Sequence, residues 1–194
     1  MSATNRSKGK RKKDDTYNTP DALALECARV LLTLPIQAPR TILEPSVGGG
    51  AFERAAATVW PKATIETIDV VKSCDATYTM PFEKFGDGDF DLILGNPPYS
   101  LAEQHVRHAL TLLAPGGVLA FLLRTAFKES KKRLVFWEQH PHRTEFQVVP
   151  RPSFVGKGSD ATCYSWFVWQ KGYRERPICS WLEWTPPKKG RAAK

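Results

Sequence analysis

Cysteine is scarce in this chain and never paired: Cys27, Cys74, Cys163 and Cys179 are widely spaced, no CxxC occurs, and no histidine stands near them at metal-ligand spacing. That distribution argues against a zinc ribbon and a disulfide scaffold, and it leads us to expect four reduced structural thiols and no metal site. No apolar run approaches the roughly 20 residues of a membrane-spanning helix. The opening MSATNRSKGKRKKDD lacks the apolar stretch of a secretory signal. We therefore expect a soluble, cytoplasmic protein with no membrane partner. There is no internal repeat, and 194 residues with 42% hydrophobic content suffice for one ordinary core and no second complete domain.

Acidic charge is also absent from residues 1–13 and 188–194. The formal charge is +8, from 28 basic and 20 acidic side chains. Ten of the basic ones are Arg6, Lys8, Lys10, Arg11, Lys12, Lys13, Lys188, Lys189, Arg191 and Lys194, so residues 14–187 carry 18 basic against 20 acidic groups, a net −2. Basic tails on a near-neutral body suit salt-sensitive attraction to a polyanion, although solvated tails of this kind also occur without that role.

Residues 1–15 show no apolar periodicity and read as a disordered basic tail, residues 16–172 as the folded domain, and 173–194 as an extension ending in the second basic tail. Thr19-Pro20-Asp21 reads as N-cap, first-turn proline and first-turn acid of a helix ending before Pro35. A short buried strand at 41–43 enters a glycine turn at 44–50, followed by a strong helix former at 51–57. Strands follow at 63–68, 90–94, 118–123, 145–149 and 163–169, with helices at 101–113 and 129–139. Strands that alternate with helices and read as continuous apolar runs predict an α/β fold: a mostly parallel, Rossmann-like sheet with helices on both faces.

In such a sheet ligands bind beyond the carboxyl ends of the strands. Three strands here end in polar or glycine-rich segments. Glu44-Pro45-Ser46-Val47-Gly48-Gly49-Gly50 offers a carboxylate and glycines that permit close backbone approach, without the spacing of a phosphate-binding loop. Asp69 ends the second strand, where this architecture commonly holds ribose hydroxyls. Asn96-Pro97-Pro98-Tyr99 is the most informative: two prolines stiffen the loop, and the Asn96 amide oxygen and Pro97 carbonyl can accept the two N–H bonds of a delocalised amine. Tyr99 can stack on a base drawn out of its duplex.

The run 90–99, with its buried strand and Asn-Pro-Pro-Tyr loop, resembles the catalytic motif of the amino-methylating DNA adenine-N6 methyltransferases. Tyr17-Asn18-Thr19-Pro20 precedes the cofactor and catalytic motifs, as in the gamma class of that family, and the short form is similar to the small stand-alone enzymes of bacteriophages and prophages. The resemblance covers roughly residues 15–170. It implies S-adenosylmethionine as cofactor, DNA as partner, and catalytic roles for Asn96, Pro97, Pro98 and Tyr99. It places Tyr17, Thr19 and Pro20 at the methionine moiety, Glu44, Ser46, Gly48 and Gly50 in the cofactor loop, Asp69 at the ribose, Asp75 at the cofactor's adenine amine, and Phe154 on the other face of the flipped base.

The chain departs from the family pattern in carrying Glu44 where many relatives have Asp, and in having only some twenty residues after the Trp166-Phe167-Val168-Trp169 strand, where larger relatives add a recognition domain. Specificity would then come from 156–160, the tails or a homodimer partner, or be weak. A protein glutamine amide and an RNA adenine are alternative acceptors with the same planar amine chemistry. Cytosine C5 methylation is disfavoured, because it requires a nucleophilic cysteine and none lies near 96–99. A nucleic-acid-binding module without chemistry is the non-enzymatic alternative.

Overall fold

In this computed structural model the described residues are 18–72, 75–86, 88–154 and 161–187. The basic tail at 1–15, Tyr17, the segment 156–160 and the basic end from 188 onward lie outside them. Eight strands, β1 (Thr41–Glu44), β2 (Thr64–Asp69), β3 (Tyr78–Thr79), β4 (Phe90–Gly95), β5 (Leu113–Arg124), β6 (Thr144–Val149), β7 (Tyr164–Gln170) and β8 (Ile178–Glu183), build one sheet. Their order is β3-β2-β1-β4-β5-β7-β6-β8. Pairing is parallel from β3 through β5 and between β6 and β8, while β7 runs antiparallel to both its neighbours. The expected mostly parallel α/β sheet is the observed one.

Helices cover both faces, as strands apolar on both sides require. α1 (Asp21–Val30) and α2 (Ala51–Val59) share one face, where Leu23, Cys27, Phe52 and Ala55 join Ile42, Ala120 and Trp166 in one buried cluster. α3 (Ala102–Thr111) and α4 (Leu134–Gln139) cover the other, where Val106, Ala109 and Phe136 meet Ile93, Leu119, Phe121 and Phe167. Successive strand residues point to opposite faces, so Leu119 and Phe121 enter one cluster and Ala120 and Leu122 the other. The Phe52 and Trp166 rings stack 5.3 Å apart and lock α2 onto β7.

Several elements depart from expectation, each for a local reason. α1 begins at Asp21 with Pro20 as its N-cap, and no side chain caps it; the Pro20 carbonyl takes the first intrahelical bond from Ala24 N–H at 3.0 Å. Thr19 is thus free of the capping role. β5 is longer than its apolar run because Pro115-Gly116-Gly117 is carried within the strand, with a register shift against β4 between Phe90 and Leu92. The expected helix at 129–139 is α-helical only at its end: Ser130 is extended, and two 3₁₀ turns at 125–129 and 131–133 precede it. β3 and β8 were not anticipated, and β8 adds residues of the C-terminal extension to the sheet beside β6.

Candidate active site

β1, β2 and β4 run parallel and end together at Glu44, Asp69 and Gly95, so their following loops converge on one edge of the sheet. A cavity of about 500 Å³ opens there, within the roughly 300–1,000 Å³ of small-molecule sites. Glu44 lines it from the end of β1, Ser46 and Gly48 from the loop that follows, Asp69 from β2, Asn96 and Pro98 from the loop after β4, and Thr19 from the segment before α1.

The glycine loop is bent by its backbone. Gly48 (φ +51°) and Gly50 (φ +72°) adopt the left-handed conformation, and the Val47 carbonyl accepts from Gly50 N–H at 2.8 Å. Asp69 holds this loop in place: its Oδ2 accepts from Gly48 N–H and its Oδ1 from Val71 N–H, both at 2.9 Å. Each carboxylate oxygen keeps a further lone pair for a ligand hydroxyl. Glu44 is buried, and its Oε2 has no hydrogen-bond partner among the described residues. Burial raises its pKa well above the usual carboxylate value, with the Glu53 charge adding to the effect and the Arg54 guanidinium opposing it.

Asn96 is half-buried between the cavity and the segment before α1. Its Nδ2 donates to Thr19 Oγ1 at 3.1 Å, while its Oδ1 is buried and accepts no hydrogen bond among the described residues. The hydroxyl that does not cap α1 thus anchors the amide. Pro97 is buried, and the Pro98 carbonyl accepts from Leu101 N–H at 3.0 Å, leading the chain toward α3. Tyr99 faces a second, smaller cavity of about 190 Å³ shared with Leu123, Arg124, Phe127 and Arg133. Burial and the neighbouring Tyr164 push the Tyr99 phenol pKa up, so it stays protonated.

Seven of the fourteen site residues read from the sequence line the main cavity, the rest do not or lie outside the described residues, and the structure adds others. Pro20 and Gly50 act through backbone geometry at the starts of α1 and α2 and do not line the cavity. Phe154 packs edge-on against Tyr164 at 4.8 Å, and Tyr164 lies 5.7 Å from Tyr99, so an aromatic row joins Phe154 to the Asn96–Tyr99 loop. Asp75 is exposed, has φ +51° and does not line the cavity. The cavity's acid after β3 is Glu83, whose Oε1 lies 3.3 Å from Nε2 of the buried His105. Burial lowers the His105 pKa against the opposing pull of Glu83. Met80, Phe82 and Glu83 line this wall, and an acid or aromatic just beyond β3 would have flagged them had that two-residue strand been legible.

No family model matches the chain, and no curated protein matches it. Solved structures do. The methyltransferase subunit of a type I restriction-modification system from Streptococcus thermophilus superposes with a TM-score of 0.66 at 14% identity, covering 84% of this chain and 46% of that one. A protein from Listeria monocytogenes described as a class I S-adenosylmethionine-dependent methyltransferase gives 0.65 at 13% identity, covering 89% and 68%. The plantazolicin methyltransferase BpumL, solved with SAH, gives 0.52 at 12%, covering 78% and 84%. The chain thus has the Rossmann-like fold of class I methyltransferases, and it spans about half the length of the Streptococcus subunit.

Proposed function

We propose that this protein transfers the methyl group of S-adenosylmethionine to the N6 amine of adenine in DNA. The observation that carries the reading is the Asn96 amide, anchored by Thr19, whose buried Oδ1 accepts no hydrogen bond among the described residues where the main cavity meets the loop leading to Tyr99. Fold likeness to a restriction-modification methyltransferase subunit supports DNA as the acceptor, as do the basic tails.

The main cavity fits the cofactor on its own chemistry. Oε2 of Glu44, without a hydrogen-bond partner among the described residues, is an acceptor suited to a cationic group such as the methionine ammonium, and the left-handed glycine loop brings backbone close to a ligand. Asp69 has acceptor capacity for ribose hydroxyls, and Glu83, held by His105, offers a carboxylate for the adenine end, the role the sequence had suggested for Asp75. When bound, the cofactor supplies an electrophilic methyl group on a positively charged sulfur.

The chain's own residues make the acceptor nitrogen reactive. Asn96 Oδ1 and the Pro97 carbonyl accept the two N–H bonds of the amine, pulling its lone pair out of conjugation and toward the cavity. Both oxygens also oppose the positive charge that builds on the nitrogen, and they are fixed before the reaction begins. Tyr99, neutral throughout, provides a face on which the extruded base stacks.

The test is transfer of labelled methyl to duplex DNA, single-stranded DNA, RNA and a protein extract, followed by nucleoside analysis. Label in the deoxy form of N6-methyladenosine is the expected result. Label only in protein would move the acceptor to a glutamine amide, and label in RNA alone would make the protein an RNA enzyme; either result overturns the DNA reading.

A further inference from the structure

We infer that the turn following β5 is a phosphate-binding lip: Arg124, Lys131 and Lys132 hold the phosphodiester strand on either side of the base presented to Tyr99. The inference rests on a nucleic acid being the acceptor, and it names the surface that grips it.

Charge is concentrated on this turn out of proportion to the rest of the body. Residues 124–133 contain Arg124, Lys128, Lys131, Lys132 and Arg133 against the single acid Glu129, in a body whose net charge is −2. Two of the five cations serve the fold. Lys128 Nζ lies 2.7 Å from the buried carboxylate of Glu145. Arg133 bonds Glu103 Oε2 and the Phe127 carbonyl, both at 3.0 Å, and lies 4.3 Å from the centre of the Phe127 ring. These contacts pin the turn to β6, α3 and its own aromatic.

The other three are not tied to an acid. Arg124, Lys131 and Lys132 are exposed and form no ion pair among the described residues. Lys131 and Lys132 are adjacent like charges on the same turn as Arg124, and a bound anion relieves the repulsion between like charges. Arg124 ties the lip to the chemistry: its guanidinium carbon lies 4.7 Å from the centre of the Tyr99 ring, and both residues line the smaller cavity. A planar guanidinium can stack on an aromatic ring and still direct N–H groups at phosphate oxygens.

A nucleotide whose base reaches Asn96 and Tyr99 must bring a phosphate on each side of it past this lip. A glutamine side chain brings no such charge. That asymmetry favours a nucleic-acid strand over a protein as the lip's occupant.

The test compares the full-length protein with the Lys131→Gln/Lys132→Gln double variant. Binding of a fluorescent single-stranded oligodeoxynucleotide is measured across a salt series, with melting temperature and S-adenosylmethionine affinity as controls. Loss of two phosphate contacts lowers the slope of log affinity against log salt by about 1.4 and weakens low-salt binding by about tenfold or more. Both controls stay at wild-type values, and Lys131→Arg/Lys132→Arg restores the slope. If the wild-type protein methylates DNA but the glutamine variant keeps its slope, the lip is refuted and the proposed activity stands. If the wild-type protein methylates no nucleic acid and the lip instead binds polyglutamate, both readings fall.

Discussion

Thr19 and Asn96 are distant in sequence and meet through one 3.1 Å hydrogen bond, so each can be tested through the other. Asn96→Ala removes an acceptor made useful only as the reaction proceeds. Turnover should fall by about 10²–10³ or more, with S-adenosylmethionine affinity, read by calorimetry, near wild type. Thr19→Val should lower kcat by about tenfold, the worth of one net hydrogen bond, and Thr19→Ser should restore it; an unchanged kcat in Thr19→Val would show that the amide needs no positioning. Glu44 pulls the other way. Its carboxyl pKa is raised by burial, then by Glu53, so the folded state binds the proton more tightly than the unfolded chain. Stability must then decline as pH rises above the ordinary carboxyl pKa of about 4.3. Glu44→Gln should melt a few degrees higher than wild type at pH 8, about 2–4 °C for each kcal/mol at this chain length. It should show no advantage at pH 4, and it should bind S-adenosylmethionine more weakly at neutral pH.

At the scale of elements, legibility followed burial. β4 reads clearly because both of its faces are covered, which forces an apolar run, and the Pro-Pro loop after it is stiff enough to be recognised from composition alone. β3 is two exposed residues held by backbone pairing to β2, so no side-chain pattern announces it. Missing β3 hid the wall that follows it: Glu83 and His105 come from different elements and share no spacing. β8 was hidden because it is an edge strand whose Ile178 and Trp181 are 64% and 75% exposed. Its contribution to the fold lies at its end, where Leu182 and Trp184 are buried in the α1–α2 cluster and Trp184 Nε1 donates to the Pro150 carbonyl at 2.7 Å. Trp184→Ala should therefore cost about 3–5 kcal/mol, measurable as a lower urea midpoint. A loss within about 0.5 kcal/mol, the range of a surface change, would show β8 to be peripheral.

For the whole molecule, the arrangement of charge separates two jobs that total charge alone would merge. The body is net −2 and the two ends carry ten cations, so under the proposed function long-range attraction to DNA falls to the tails and local grip to groups beside the site. Both contributions are screened by salt, but they differ in what they touch. Deleting residues 1–13 removes six of the ten end charges and no described residue of the cavity. Affinity for duplex DNA and its salt slope should both fall, while kcat at saturating DNA holds near the full-length value, because the Asn96 loop and the glycine loop are intact. Binding isotherms at several salt concentrations beside single-turnover methyl transfer separate the two effects. An unchanged slope would make the N-terminal cations bystanders, and a collapse of kcat at saturating DNA would mean that residues 1–13 take part in the chemistry, since Tyr17 is retained in this deletion.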